Sequence, residues 1–156
     1  MNHVRQEYLR RKLGWGLIVV LLLALFACSP AEGPAISVEG VWGRPSPKVA
    51  AAGAFYMVIQ NEGSQDDKLV GGSSPACEFV ELHEAYLTEE GAMGMRPVTG
   101  GVIEIPAGGE AELKPGGLHV MCINKLADFE VGAMLDLTLE FEQTGKMTLE
   151  VEIREP

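Results

Sequence analysis

The sequence feature that most constrains the fold is the alternation of apolar and polar residues within positions 134–143, MLDLTLEFEQ, which is strict from Leu135 to Glu142. Consecutive side chains of a β-strand point to opposite faces, so this pattern predicts a strand with one apolar and one polar face. A Thr144-Gly145 turn follows, and residues 147–153 alternate again. The sequence therefore predicts a β-hairpin near the end of the chain.

Short segments of the same kind recur along the chain, separated by turns rich in Gly and Pro. The predicted strands cover residues 36–42, 51–61, 68–71, 78–86, 93–98, 102–105, 111–113, 118–124, 134–143 and 147–153. No long segment has a helical period of 3.6 residues. Many short strands at this spacing, within 156 residues, predict a single all-β sandwich or barrel. We expect Trp42 to pack in its core.

The N-terminal segment has the composition of an export signal. Four basic residues precede an uninterrupted apolar run at positions 17–27, which has the length of a signal-peptide core and is too short to span a bilayer alone. The run ends in LFAC at positions 25–28, which resembles a bacterial lipobox, with cleavage before Cys28 and lipidation of its thiol.

This interpretation divides the chain into a lipoprotein signal peptide (1–27), a flexible tether (28–35) and a β-domain (36–156). An ordinary signal peptide, or an uncleaved anchor that includes Trp15 and Gly16, would also fit the segment. All three place the domain outside the cytoplasm, and the lipoprotein interpretation gives it a lipid anchor in the membrane.

The charge of the chain restricts its partners. The formal net charge is −10, and removal of residues 1–27 takes away four positive charges and one negative charge, which leaves −13. A nucleic-acid partner would require a basic surface, so we exclude that class. Removal of residues 1–27 also leaves His83 and His119 as the only histidines.

His119 and Met121 form the clearest chemical signal. Residues i and i+2 of a strand lie on one face about 7 Å apart, and an imidazole beside a thioether is half of a soft metal site. His83, followed by Met93 and Met95, could supply the other half. Because the opposite face of 118–122 is apolar, we expect the His119 face near the surface. A surface histidine beside a partly buried methionine, without a metal, would give the same pattern.

Imidazole and thioether donors together favour Cu(I). Both are neutral ligands, so they remain available at mildly acidic pH, and they avoid the oxidation that threatens cysteine outside the cytoplasm. No CxxC pair suggests a zinc site, and no Ser/His/Asp arrangement or phosphate-binding loop is present. We therefore expect a binding protein that is not an enzyme.

Several motifs together resemble the periplasmic PCuAC-type copper chaperones. They are VWGRP at 41–45, DKLV at 67–70, ELHE at 81–84, MGMRPV at 93–98, IPAGG at 105–109 and LKPGGLHVM at 113–121. The resemblance covers nearly all of residues 36–153. It implies a cupredoxin-like Greek-key β-barrel that binds one Cu(I) through His83, Met95, His119 and Met121, with Met93 as a substitute candidate for Met95.

The resemblance also implies a role. The chain would carry copper by ligand exchange to an acceptor, such as the copper centre of cytochrome c oxidase, alongside Sco-type proteins. A copper scavenging or resistance protein is a second hypothesis. A non-metal interaction lipoprotein of the envelope is a third, and it predicts that His83 and His119 lie far apart. A copper redox enzyme is disfavoured, because no cysteine in an electron-transfer pattern accompanies the histidines.

Cys77 and Cys122 are the cysteines that remain once Cys28 is lipidated. An extracellular pair can form a disulfide. Two free buried thiols, or a role in metal binding, are also compatible with the sequence, which leaves all three states open.

Overall fold

The computed structural model describes residues 33–156. The predicted signal peptide, the lipidation site Cys28 and tether residues 28–32 lie outside this range. The described strands are β1 (Ile36–Gly43), β2 (Ala52–Asn61), β3 (Asp67–Ser73), β4 (Cys77–Leu87), β5 (Met93–Pro97), β6 (Ile103–Ile105), β7 (Gly109–Leu113), β8 (Leu118–Lys125), β9 (Met134–Phe141) and β10 (Gly145–Glu152). None of the helical turns in this part of the chain has the length and apolarity to cross a membrane.

The strands form two sheets that pack face to face. One sheet has six strands in the order β1-β2-β7-β8-β4-β5, and the other has four in the order β10-β9-β3-β6. The predicted all-β architecture is confirmed, and each predicted strand lies within two residues of the observed one at both ends. Sequence alternation located the strands well because half-buried strands repeat with a period of two.

The hairpin that the alternation predicted is formed by β9 and β10. Leu137 lies opposite Leu149, and Phe141 lies opposite Gly145 at the turn. Gly145 has a φ of 84°, a conformation that residues with a Cβ rarely adopt. Leu137, Leu139 and Phe141 are fully buried, so the apolar face of the hairpin covers the core.

The core lies between the two sheets. Alternate residues of β2 and β8 fill it from the six-stranded sheet, and β9 and β10 fill it from the other. Phe55 of β2 packs on Phe129, with ring centroids 5.4 Å apart. The prediction for Trp42 is wrong, because Trp42 lies opposite Tyr56 on the outer face of the six-stranded sheet and is only half-buried. Their ring centroids are 4.8 Å apart.

A disulfide joins Cys77 of β4 to Cys122 of β8. The two Cα atoms are 5.3 Å apart, and 45 residues separate the cysteines in the chain. Of the three states that the sequence allowed, the structure therefore has the disulfide, and neither free thiols nor a metal role. The bond lies inside the core and ties together the two strands that carry His83 and His119.

Removal of this disulfide should destabilise the fold. A cross-link that closes a loop of this length lowers the entropy of the unfolded chain by an amount worth about 4 kcal/mol. We therefore expect Cys77→Ala/Cys122→Ala to lose free energy of unfolding of that order, measured by urea denaturation. The wild type treated with a reductant should lose a similar amount. An unchanged urea midpoint in both samples would contradict a structural role for this bond.

Candidate metal centre

The two predicted half-sites meet across a pair of neighbouring strands. In the antiparallel pairing of β4 with β8, His83 lies directly opposite His119, and Glu81 lies directly opposite Met121. Opposite residues of such a pair share a face and have Cβ atoms about 5 Å apart. The two imidazole centroids are 5.9 Å apart. One face of the sheet therefore carries both imidazoles and the Met121 thioether.

The third strand of the site is β5, at the edge of the sheet. Its pairing with β4 places Pro97 opposite His83, Met95 opposite Ala85, and Met93 opposite Leu87. Side chains two residues apart share a face, so both methionines lie on the same face as the histidines. Along β5, Met95 is two residues from Pro97, the residue opposite His83, and Met93 is four residues from it.

Met95 and Met121 flank the histidine pair from opposite sides. Met95 is displaced from the level of His83 toward the β4–β5 turn, and Met121 is displaced in the other direction. A methionine side chain is long and flexible, so it can reach over such a step. Met93 extends toward the turn before β8, where its methyl group lies 4.0 Å from the point that a Cβ on Gly116 would occupy.

The imidazoles are more buried than the sequence suggested. The residues His119 and His83 are only 2% and 7% exposed, so the expectation that the His119 face lies near the surface is wrong for the rings. Tyr56 of β2 covers one side of His119 with ring centroids 6.2 Å apart, and Trp42 stacks on Tyr56. Met95 in contrast is 59% exposed. The site is closed on the tyrosine side and open at Met95.

The hydrogen bond of His119 determines which of its ring nitrogens is free. Nδ1 lies 3.0 Å from the carbonyl oxygen of Gly117, and a carbonyl can only accept, so Nδ1 carries the proton and donates. Gly117 belongs to the tight turn before β8, in which its own amide donates to the carbonyl of Lys114. The Nε2 atom of His119 then has a bare lone pair.

His83 has the opposite arrangement. Its Nε2 lies 2.8 Å from Oε2 of Glu81, and a carboxylate accepts, so Nε2 carries the proton. Nδ1 then has the bare lone pair. Among residues 33–156, His83 Nδ1 and His119 Nε2 are the buried side-chain nitrogen and oxygen atoms without a hydrogen-bond partner. A buried polar atom without a partner is costly, and a bound ion would satisfy both.

The electrostatics keep His119 neutral. Burial lowers its pKa below the usual value of 6.5, and the nearby His83 acts in the same direction, while the hydrogen bond to Gly117 opposes both. Within the described residues no group of three or more His, Cys, Asp and Glu side chains could hold a metal ion. The donors on this face are instead two imidazole nitrogens and methionine sulfurs, which suit a soft monovalent ion.

Two features of the site were not predicted. The first is the contact of Glu81 with His83, although residues i−2 and i of a strand are neighbours on one face. The wall formed by Tyr56 and Trp42 depends on the register of β1 on β2, which includes an irregularity between Glu39 and Trp42. No local sequence pattern reports such a register.

Comparisons with known proteins agree with this architecture. A family model described as "Putative lipoprotein LpqE-like" matches residues 36–153. The "Putative lipoprotein Lxx21020" of Leifsonia xyli subsp. xyli (strain CTCB07) is 30% identical over 146 residues, which cover 88% of this chain and 87% of that protein.

Solved structures of PCuAC domains have a similar fold. The copper-bound PCuAC domain from PmoF2 matches with a TM-score of 0.63 and 22% identity, over 83% of this chain and 97% of that one. The apo PCuAC domain from PmoF1 gives 0.64 and 24%, over 83% and 98%. The solution structure of apo-DR1885 from Deinococcus radiodurans gives 0.57 and 25%, over 83% and 88%. The predicted cupredoxin-like fold and the resemblance to PCuAC-type proteins are confirmed.

The lowered pKa of His119 predicts how the metal-free protein responds to acid. The unfolded chain binds this proton near pH 6.5 and the folded chain only at lower pH, so the stabilisation is complete above pH 6.5 and is lost as the pH falls below it. The free energy of unfolding of the wild type should therefore decrease as the pH is lowered from 7.5 to 5.5. The fall should be smaller for His119→Asn, whose amide can still donate to Gly117. Identical pH profiles would contradict the lowered pKa.

Proposed function

The chain belongs to the LpqE-like family, and we propose that it is an extracytoplasmic Cu(I)-binding metallochaperone. The carrying observation is the pair of buried, unpartnered imidazole nitrogens, His83 Nδ1 and His119 Nε2, on adjacent strands. Met95 and Met121 would complete the ligand set, with Met93 as a substitute for Met95.

The chemistry of the donors supports Cu(I) as the cargo. Thioether and imidazole are ligands that this ion accepts in three- or four-coordinate sites, and hard cations prefer oxygen donors. All four proposed ligands are neutral, so little proton release accompanies binding. Related folds include a structure described as copper-bound and a second described as CuI-DR1885, which is consistent with this cargo.

The unequal burial of the ligands supports transfer by ligand exchange. Met95 is exposed and Tyr56 covers one side of His119, so an acceptor can approach the ion past the exposed thioether. An incoming ligand would replace Met95 first, while His83 and His119 still hold the ion. Copper would then pass to the acceptor without release into water.

The proposed location follows from the N-terminal segment. Lipidation of Cys28 after removal of residues 1–27 would anchor the domain 36–156 to the outer face of a membrane. The tether would be shorter than the sequence suggests. The carbonyl of Gly33 accepts a hydrogen bond from the amide of Ser64, in the loop after β2. The amide of Ala35 donates to the side chain of Asn61, at the end of β2.

The acceptor proposed from the family resemblance is the copper centre of a cytochrome c oxidase subunit, or a Sco-type protein that serves it. The competing proposal, a non-metal interaction module, predicts that the two histidines are far apart. Their position directly opposite each other, 5.9 Å between centroids, speaks against that module.

Copper binding tests the proposal directly. The purified protein should bind about one Cu(I) and strongly prefer it to Zn(II), as measured by competition with a Cu(I) chelator. His119→Ala/Met121→Ala removes an imidazole and a thioether, so it should lose high-affinity binding. Met134→Ala is a matched control, because Met134 is a 51% exposed methionine on β9 of the other sheet. Wild-type affinity in the double variant would refute the ligand assignment.

Single substitutions distinguish the two methionines of β5. Met95 lies closer than Met93 to the position opposite His83, so we expect Met95 to be the ligand. Loss of a residue that only supports a ligand weakens metal binding at least about tenfold, so Met95→Ala should weaken Cu(I) binding by more than that. Met93→Ala should change the affinity less. Both side chains are similarly exposed, which makes them controls for each other. The reverse order would assign Met93 as the ligand.

A further inference from the structure

Glu81 contacts the proposed site without being one of its ligands. Its Oε2 lies 2.8 Å from Nε2 of His83, and its side chain is about half exposed to solvent. We propose that Glu81 is a positioning residue that holds the His83 ring with Nδ1 toward the ion, and that it thereby raises the affinity for copper. This inference rests on the proposed function and names a determinant of the same site.

The His83 ring can be placed in two ways. A neutral imidazole has one nitrogen that donates and one that accepts, and a carboxylate can only accept. With Glu81 in place, the favourable arrangement puts Nε2–H on the carboxylate and leaves Nδ1 bare. Movement of the proton to Nδ1 would set the lone pair of Nε2 against the carboxylate charge, and a flip of the ring would put a carbon in place of the N–H donor. Both changes are therefore disfavoured.

The bare Nδ1 of His83 is then presented on the face that also carries the bare Nε2 of His119. A different partner fixes the second ring, since His119 donates from Nδ1 to the carbonyl of Gly117. The two histidines would consequently bind through different nitrogens, Nδ1 for His83 and Nε2 for His119. A carboxylate for one ring and a backbone carbonyl for the other explain this asymmetry.

The carboxylate also changes the strength of the ligand. A carboxylate that accepts the second N–H of a histidine makes the other nitrogen more basic, and loss of such a partner typically weakens metal binding about 10- to 100-fold. Glu81 lies directly opposite Met121, so its negative charge is also near the proposed position of the cation. Because hard oxygen donors suit Cu(I) poorly, this role through His83 is favoured over direct ligation.

The same strand offers a matched control. Glu84 lies on the opposite face of β4, where its carboxylate accepts a hydrogen bond from Arg96 at 2.8 Å. Glu84→Ala removes the same charge from the same strand and leaves the His83 hydrogen bond intact. Glu81→Gln is the conservative variant, because its amide oxygen can still accept from Nε2–H without the negative charge.

The experiment measures two quantities on the full chain in detergent micelles. The first is the tautomer of His83 in the copper-free protein, read from the ¹⁵N shifts of its ring nitrogens. The second is the Cu(I) affinity by chelator competition. The wild type and Glu84→Ala should have a protonated Nε2 and a bare Nδ1. Glu81→Ala should show averaged shifts and bind Cu(I) about 10- to 100-fold more weakly. Glu81→Gln should keep the tautomer and recover part of the affinity.

The outcomes separate this inference from the proposed function. If Glu81→Ala keeps both the wild-type tautomer and the wild-type affinity, or if Glu84→Ala causes an equal loss, Glu81 has no positioning role although copper binding stands. If the wild type binds no Cu(I), the proposed function fails. The tautomer of the copper-free wild type and of Glu81→Ala would still report whether Glu81 orients the ring.

Discussion

The direct pairing of His83 with His119 is the constraint on which the site depends. It exists because β4 and β8 are neighbours in an antiparallel register that places these two residues opposite each other. A slip of one residue in either strand would turn one imidazole into the core and leave the other alone. The disulfide between Cys77 and Cys122 joins the same two strands, so it opposes this slip.

The outer face of the six-stranded sheet combines two properties that a protein for copper transfer needs. Tyr56 and Trp42 exclude water from one side of the histidine pair, and this burial keeps His119 neutral. Met95 on the edge strand remains exposed. The buried part would give affinity, and the exposed part would give access. Both come from one feature, the position of the site between the centre and the edge of the sheet.

Hydrogen bonds to backbone and side chain complete the site. The carbonyl of Gly117 and the carboxylate of Glu81 determine which nitrogen of each histidine is bare. These partners come from a turn and from a neighbouring position on the same strand. Neither needs a long-range contact of its own, so once the strands pair, the orientation of both rings follows from local geometry.

The sequence by itself determined the strands, the all-β class and the set of candidate donors. Alternation with a period of two is local, and the motifs around His83 and His119 can be read directly. Only the tertiary structure decided that His83 lies opposite His119, that Cys77 bonds to Cys122, and that Trp42 stacks on Tyr56 outside the core. Those outcomes depend on strand order and register, which arise from contacts between residues far apart in the chain and leave no local pattern to read.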